Sequence, residues 1–287
     1  MYVELHARSA FSFLEGSSLP EILMARCAEL QMPAMALLDR NGLHGAPRFH
    51  ITAEKLGLRA HIGAEIAPIE IVSSNGTRLH GWMRPATATP APIVLYFGGN
   101  AEEVSWTITE RRWPLAWTIV AMNYRGYGKS EGTPSETALV ADALAIYDAI
   151  ATRSDVDATH IVAIGRSLGT GVAVKLAAAR PLAGVILASP YDSLVALGRT
   201  HYPWLPVSWL LKHRFDVDAD AQRMRIPMLA IVASSDTIIP RARSQSLYDA
   251  WGGPKTWLNV AGTDHNTLSV PDAFWTGVTE FLTARLQ

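Results

Sequence analysis

The chain has 287 residues, 49% of them hydrophobic and 18% charged, with a formal net charge of −1 and a single cysteine. That is enough apolar material for a full α/β core, too balanced a charge for a nucleic-acid groove, and too few thiols for an internal disulfide. The opening Met-Tyr-Val-Glu-Leu-His lacks a charged stretch followed by an apolar run, so no signal peptide is expected and the cytoplasm is the default location.

In chain order, an extended Val3-Glu4-Leu5-His6 is followed by a helical pattern over 19–30, a strand over 33–39, a helix over 43–56 and a strand over 59–63. This is a βαβαβ pattern. Cys27 falls in the apolar positions of the first helix, where a buried, inert thiol is expected. The first 66 residues carry six Lys or Arg against seven Asp or Glu, and the remainder nineteen of each, so neither part steers nucleic acid. A piece this small buries little surface and exposes sheet edges, so it must pack against the rest of the chain or against a second copy. Isologous pairing of that surface favours a homodimer.

A second unit opens near Ala67. Residues 69–72, the Asn75-Gly76 turn and residues 77–82 read as its first hairpin. The strand 92–97 then runs into Gly98-Gly99-Asn100-Ala101-Glu102-Glu103 and a helix whose N-terminus points donors at an anion. Next come an apolar β-branched run over 160–164, Gly165-Arg166-Ser167-Leu168-Gly169, and a small-residue helical run over 170–176. Strand, sharp G-x-S-x-G turn and helix together make a nucleophile elbow, which pushes the Ser167 hydroxyl out above a sheet.

A serine nucleophile of this kind is followed in the chain by an acid and then by a histidine base. The buried strand 227–233 ends in Ser234-Ser235-Asp236, which puts a carboxylate at its C-terminal edge; Asp236 is the expected acid. A last strand over 256–260 leads to Ala261-Gly262-Thr263-Asp264-His265-Asn266 and a helix over 271–286, and His265 is the expected base. Asp264 and Asp192 are rival acids; Asp264 is adjacent to the histidine in sequence and poorly placed to reach its ring. The oxyanion donors expected are the backbone N–H of Leu168 and that of Asn100, with Gly99 as the alternative. After the strand 184–190, residues 191–225 form a small cap in which His201 to Leu211 is rich in aromatic and aliphatic side chains but too short and broken to span a membrane. Tyr202, Trp204, Leu205 and Trp209 either pack as core or line an acyl pocket.

These stretches, with Asn123-Tyr124-Arg125-Gly126-Tyr127-Gly128-Lys129-Ser130-Glu131-Gly132 and Ser189-Pro190-Tyr191-Asp192-Ser193, make residues 67–287 resemble the alpha/beta-hydrolase superfamily and its abhydrolase-domain serine hydrolases. The resemblance implies a mostly parallel central sheet with helices on both faces and a small cap. It also implies a serine hydrolase, with Ser167, Asp236 and His265 as catalytic residues. The family's oxyanion loop usually opens with His-Gly where this chain has Gly98-Gly99, which implies an altered loop conformation. A serine nucleophile sets aside the haloalkane dehalogenases and epoxide hydrolases of the superfamily, in which an aspartate attacks.

Residues 1–66 resemble the start of a PHP (polymerase and histidinol phosphatase) domain of bacterial error-prone DNA polymerase III alpha subunits. Leu5-His6-Ala7-Arg8, Leu38-Asp39-Arg40-Asn41 and Ile62-Gly63-Ala64-Glu65 carry the likeness. His6, Asp39 and Glu65 match metal-ligand positions, but Arg8 and Arg40 stand where the family has further histidines, and guanidinium cannot ligate a metal. The site is therefore expected to be vestigial, with no metal and no cofactor.

The function expected is a carboxylesterase for short- to medium-chain esters, with a thioesterase or amidase of the same mechanism next and an assembly protein with an idle triad as the other class. The partners expected are a small ester, no nucleic acid and no membrane.

Overall fold

A computed structural model of the chain describes residues 4–7, 18–39, 46–64 and 67–286, with side chains over 18–37, 48–60 and 67–286. Their strands form two sheets.

The first is parallel and three-stranded in the order β1 (Glu4–Ala7), β2 (Ala34–Asp39), β3 (Arg59–Ala64). The crossovers carry α1 (Pro20–Glu29) and α2 (Ala46–Lys55), as the alternation of apolar strands with 3.6-period helices requires. Met24, Cys27, Met32, Met35, Leu37, Phe49 and Ala53 form a small core of their own. Cys27 lies fully inside it, and burial pushes its thiol pKa up, which keeps it un-ionised and inert. Arg8, Arg40 and Glu65, and the side chains of His6 and Asp39, lie outside the described residues.

The second sheet has eight strands in the order β11-β10-β9-β8-β6-β7-β5-β4. They are β4 (Ala67–Val72), β5 (Arg78–Arg84), β6 (Ala91–Phe97), β7 (Thr118–Met122), β8 (Val156–Arg166), β9 (Gly184–Ala188), β10 (Met228–Ala233) and β11 (Lys255–Val260). β5 is antiparallel to both β4 and β7; every other pairing is parallel. β4 and β5 alternate between covered and open faces, whereas β7, β9 and β10 are buried at every position. That contrast is expected of an edge hairpin beside strands with helices on both faces.

One face of the sheet is covered by α4 (Glu136–Ala151), α5 (Leu168–Ala179), α8 (Asp218–Arg223) and α9 (Arg241–Ala250), and the other by α3 (Ser105–Thr109) and α10 (Asp272–Thr283). From β6 the chain passes to β7 on one side and then to β8 on the other. This reversal opens a crevice at the carboxyl ends of β6 and β8, where ligands of open α/β sheets bind.

Close packing of the β8–α5 turn depends on its glycines. A Cβ on Gly169 would collide with the carbonyl oxygens of Phe97 and Gly98, and one on Gly165 with the Gly169 carbonyl. All of these are backbone atoms that no rotamer change can move. Gly169→Val is therefore expected to prevent α5 from seating on β6, with loss of soluble folded protein or a melting temperature lowered by more than about 10 °C. A thermal melt near that of the parent chain would contradict this account.

Candidate active site

At the carboxyl end of β8, Ser167 adopts φ +52° and ψ −118°, a conformation that side-chain-bearing residues rarely accept. Its N–H donates to the Ala188 carbonyl at 2.9 Å, tying the turn to the neighbouring strand β9. With the chain bent this way, the Ser167 hydroxyl points over the sheet edge. There its Oγ lies 3.0 Å from His265 Nε2, and the Nδ1 of the same ring lies 2.9 Å from Asp236 Oδ2. Asp236 and His265 sit in the loops after β10 and β11, so adjacent parallel strands deliver the two groups side by side.

The Asp236 side chain is 1% exposed and that of His265 8%. Burial raises the Asp236 pKa, but hydrogen bonds from His265, from the Ile239 N–H at 2.8 Å and from the Ser189 hydroxyl at 2.8 Å outweigh it. The net direction is below the ordinary carboxylate value, so Asp236 remains ionised and fixes Nδ1 as the protonated ring nitrogen. Ser189 also has a left-handed backbone, φ +50°, and its N–H donates to the Ile231 carbonyl, which aims its hydroxyl at Asp236.

The rival carboxylates are engaged elsewhere. Asp264 caps its own turn, where one oxygen accepts from the Thr267 hydroxyl and from the N–H groups of Asn266 and Thr267, all within 2.9 Å. Asp192 is held by Arg243 at 2.8 Å.

Among the described residues, neither the Leu168 N–H, first of α5, nor the Asn100 N–H has a protein acceptor. Gly99 does not serve as the alternative donor, because its N–H is already given to Glu102 Oε2 at 2.6 Å. The segment after β7 braces this loop at three points. Tyr124 donates its hydroxyl to the Gly98 carbonyl at 3.0 Å, Asn123 accepts from the Val104 N–H at 3.1 Å, and the Tyr127 hydroxyl donates to Asn100 Oδ1 at 2.8 Å.

Glu102 and Arg166 were missed in the sequence. Besides holding Gly99, the Glu102 carboxylate accepts from the Tyr96 hydroxyl at 2.8 Å, from Trp106 Nε1 at 3.1 Å and from Arg166 at 2.8 Å. Arg166 also donates to the His265 carbonyl at 3.3 Å. The loop without its usual histidine is thus held by a buried carboxylate. The available signal was a glutamate three residues after Gly99, the spacing at which a side chain folds back onto a backbone N–H. Glu102→Gln is expected to lower kcat about tenfold or more while changing KM little, because it loosens donors that act on developing charge. Steady-state kinetics on a soluble ester would show it, and an unchanged kcat would refute it.

A cleft of about 210 Å³ opens beside these donors, lined by Asn100, Tyr127, Leu139, Leu168, Leu194 and Phe215 among others. None of Tyr202, Trp204, Leu205 and Trp209 lines it, which corrects the pocket expected at those positions. The reason is the turn between α6 (Leu194–His201) and α7 (Val207–Leu210): Val207 packs inward, while Tyr202, Trp204 and Trp209 are left exposed.

Comparison with known proteins agrees with this fold. A PHP domain model matches residues 4–148 and a "Serine aminopeptidase, S33" model matches residues 115–215. The two overlap, and strand pairing places the stretch from Ala67 onward in the eight-stranded sheet. The Mycobacterium tuberculosis (strain H37Rv) protein named "Uncharacterized protein Rv2307c" is 38% identical over 201 residues, 69% of this chain and 72% of its own. An Arabidopsis thaliana alpha/beta hydrolase domain-containing protein, WAV2, is 28% identical over 200 residues, 63% of this chain and 65% of its own. An acetyl xylan esterase from Paenibacillus sp. R4 superposes with a TM-score of 0.64 at 17% identity, covering 76% of this chain and 83% of the esterase. The chain therefore belongs to two families in series, a PHP segment at the N-terminus and, carrying the serine site, the alpha/beta-hydrolase superfamily.

Proposed function

We propose that residues 67–287 are the catalytic unit of a serine carboxylesterase that works through an acyl-enzyme, with residues 1–66 an appended PHP-like segment. The observation that carries this reading is the unbroken relay from Ser167 Oγ through His265 to an ionised Asp236, with both contacts at or below 3.0 Å. Ser167 Oγ attacks the ester carbonyl as His265 Nε2 takes its proton, and Asp236 stabilises the imidazolium that results. The Leu168 and Asn100 N–H groups receive the oxyanion, aided by the positive end of α5. The imidazolium then gives its proton to the departing alcohol. A water deprotonated by the same nitrogen attacks the acyl carbonyl, and the serine leaves with that proton.

The cleft's apolar side chains Leu139, Leu194 and Phe215 support a short or medium acyl chain beside the oxyanion donors. The test is a series of p-nitrophenyl esters of rising chain length. Saturable hydrolysis, greatest at short to medium length and abolished by a fluorophosphonate, is expected. Absence of turnover across the series, with no probe labelling of folded protein, would favour an idle triad.

No step of this cycle draws on a metal ion. Exhaustive chelation is therefore expected to leave ester hydrolysis unchanged, as rates before and after dialysis against a chelator would show. Activity lost with a stoichiometric metal, and restored with it, would overturn the proposed mechanism.

A further inference from the structure

We propose that the outer face of the cap, Tyr202, Trp204, Trp209 and Leu210, docks the protein on an anionic lipid surface. Trp209 is 90% exposed, Trp204 74%, Leu210 62% and Tyr202 53%, on a chain whose other tryptophans are mostly covered. The exposure follows from how the cap is anchored. Val207 is buried against Gly198 of α6, and Trp209, two residues on and about 200° around the helix axis, must point away from the body. The Tyr202 and Trp204 rings meet edge to face at 6.3 Å, and the His201 Nε2 lies 2.8 Å from the Ile238 carbonyl, fastening this face to the loop that bears Asp236. Ile238, itself exposed, extends the apolar surface.

The charge around this face selects its partner. From Leu194 to Phe215 there is no Asp or Glu, while Arg199, Lys212 and Arg214 are all exposed. Arg214 lies 3.6 Å from Asp216, and no carboxylate pairs with Arg199 or Lys212 among the described residues. Exposed tryptophan and tyrosine on a stretch of chain that carries exposed cations and no carboxylate fit the headgroup region of an anionic bilayer, where aromatic rings sit at the boundary and each nearby cation adds attraction. A second copy of the same face would bring like charges together. No helix among the described residues is long and apolar enough to cross a bilayer, so the contact is with the surface. Leu194 and Phe215, which bound this carboxylate-free stretch, also line the cleft beside Leu168, so docking through the stretch between them would hold the cleft close to the lipid. This supply of substrate rests on the esterase reading; the docking does not.

The full chain carrying Ser167→Ala, mixed with sedimentable vesicles, separates the two. Strong partition is expected onto vesicles of about 30% phosphatidylglycerol in phosphatidylcholine, little onto phosphatidylcholine alone, and a marked loss in high salt. Trp204→Ala with Trp209→Ala should lower partition about tenfold or more. Arg199→Gln with Lys212→Gln should lower it about tenfold on anionic vesicles only. The tryptophan double variant in the Ser167 background should hydrolyse a soluble short-chain ester as the parent does, which also reports its folding. Equal partition onto both vesicle types, or retained partition in the tryptophan variant, would overturn the proposal. So would a dimer that the tryptophan variant dissolves, since the face would then belong to a second copy. Vesicle binding without ester turnover would leave docking standing and remove the esterase reading.

Discussion

Replacing Ser167 by alanine is expected to lower kcat by about 10⁴-fold or more and to abolish labelling by a fluorophosphonate, with the fold unchanged. The size of the effect follows from the position of Oγ, 3.0 Å from His265 Nε2 with the Leu168 and Asn100 donors left without protein acceptors. Without Oγ no acyl-enzyme forms, and what remains is binding and oxyanion stabilisation acting on water. Alanine can occupy the same strained backbone, so circular dichroism and thermal melting should match the parent. A variant that retains a tenth of the activity would show that another group attacks the ester.

The second large effect concerns the acid. Asp236→Asn is expected to cost about 10⁴-fold in kcat, whereas Asp264→Asn should remain within about tenfold of the parent. An amide at position 236 can present its N–H to Nδ1 and so favour the tautomer with the proton on the wrong nitrogen. The sign of the pH dependence agrees with this role. Because the Asp236 pKa is lower folded than unfolded, its contribution to stability is fully present above the unfolded value and is lost as pH falls through the depressed one. The parent should therefore lose stability on strong acidification, and Asp236→Asn should show a flatter acid limb in thermal melts. A milder effect at 236 than at 264 would transfer the role of the acid to Asp264.

Ser167, Asp236 and His265 were legible because each follows the carboxyl end of a strand, Ser167 at the turn into α5 and the other two in loops, and apolar runs mark strand ends without any tertiary information. Their order along the chain then supplied the assignment. The cap was read less well for a physical reason. An apolar run such as Pro203 to Leu211 records how much surface could be covered, not which side faces the body, and Val207 and Trp209 divide between the two. Glu102 escaped notice because it and Glu103 look equivalent in the sequence. Only the turn at Gly99 decides that the first folds back onto the loop while the second bonds Asn123 and the Ser105 N–H.

The separation of the serine from its base has a consequence for the protein's birth. His265 lies 98 residues after Ser167, and it meets Asp236 where the loops after β10 and β11, the last parallel pair of the sheet, come together. A ribosome therefore delivers the nucleophile well before anything that could deprotonate it. Until β11 docks on β10, the nascent chain holds an ordinary alcohol, chemically quiet toward the esters of its surroundings. Competence then arrives in one late step, when the last strand closes the edge of the sheet.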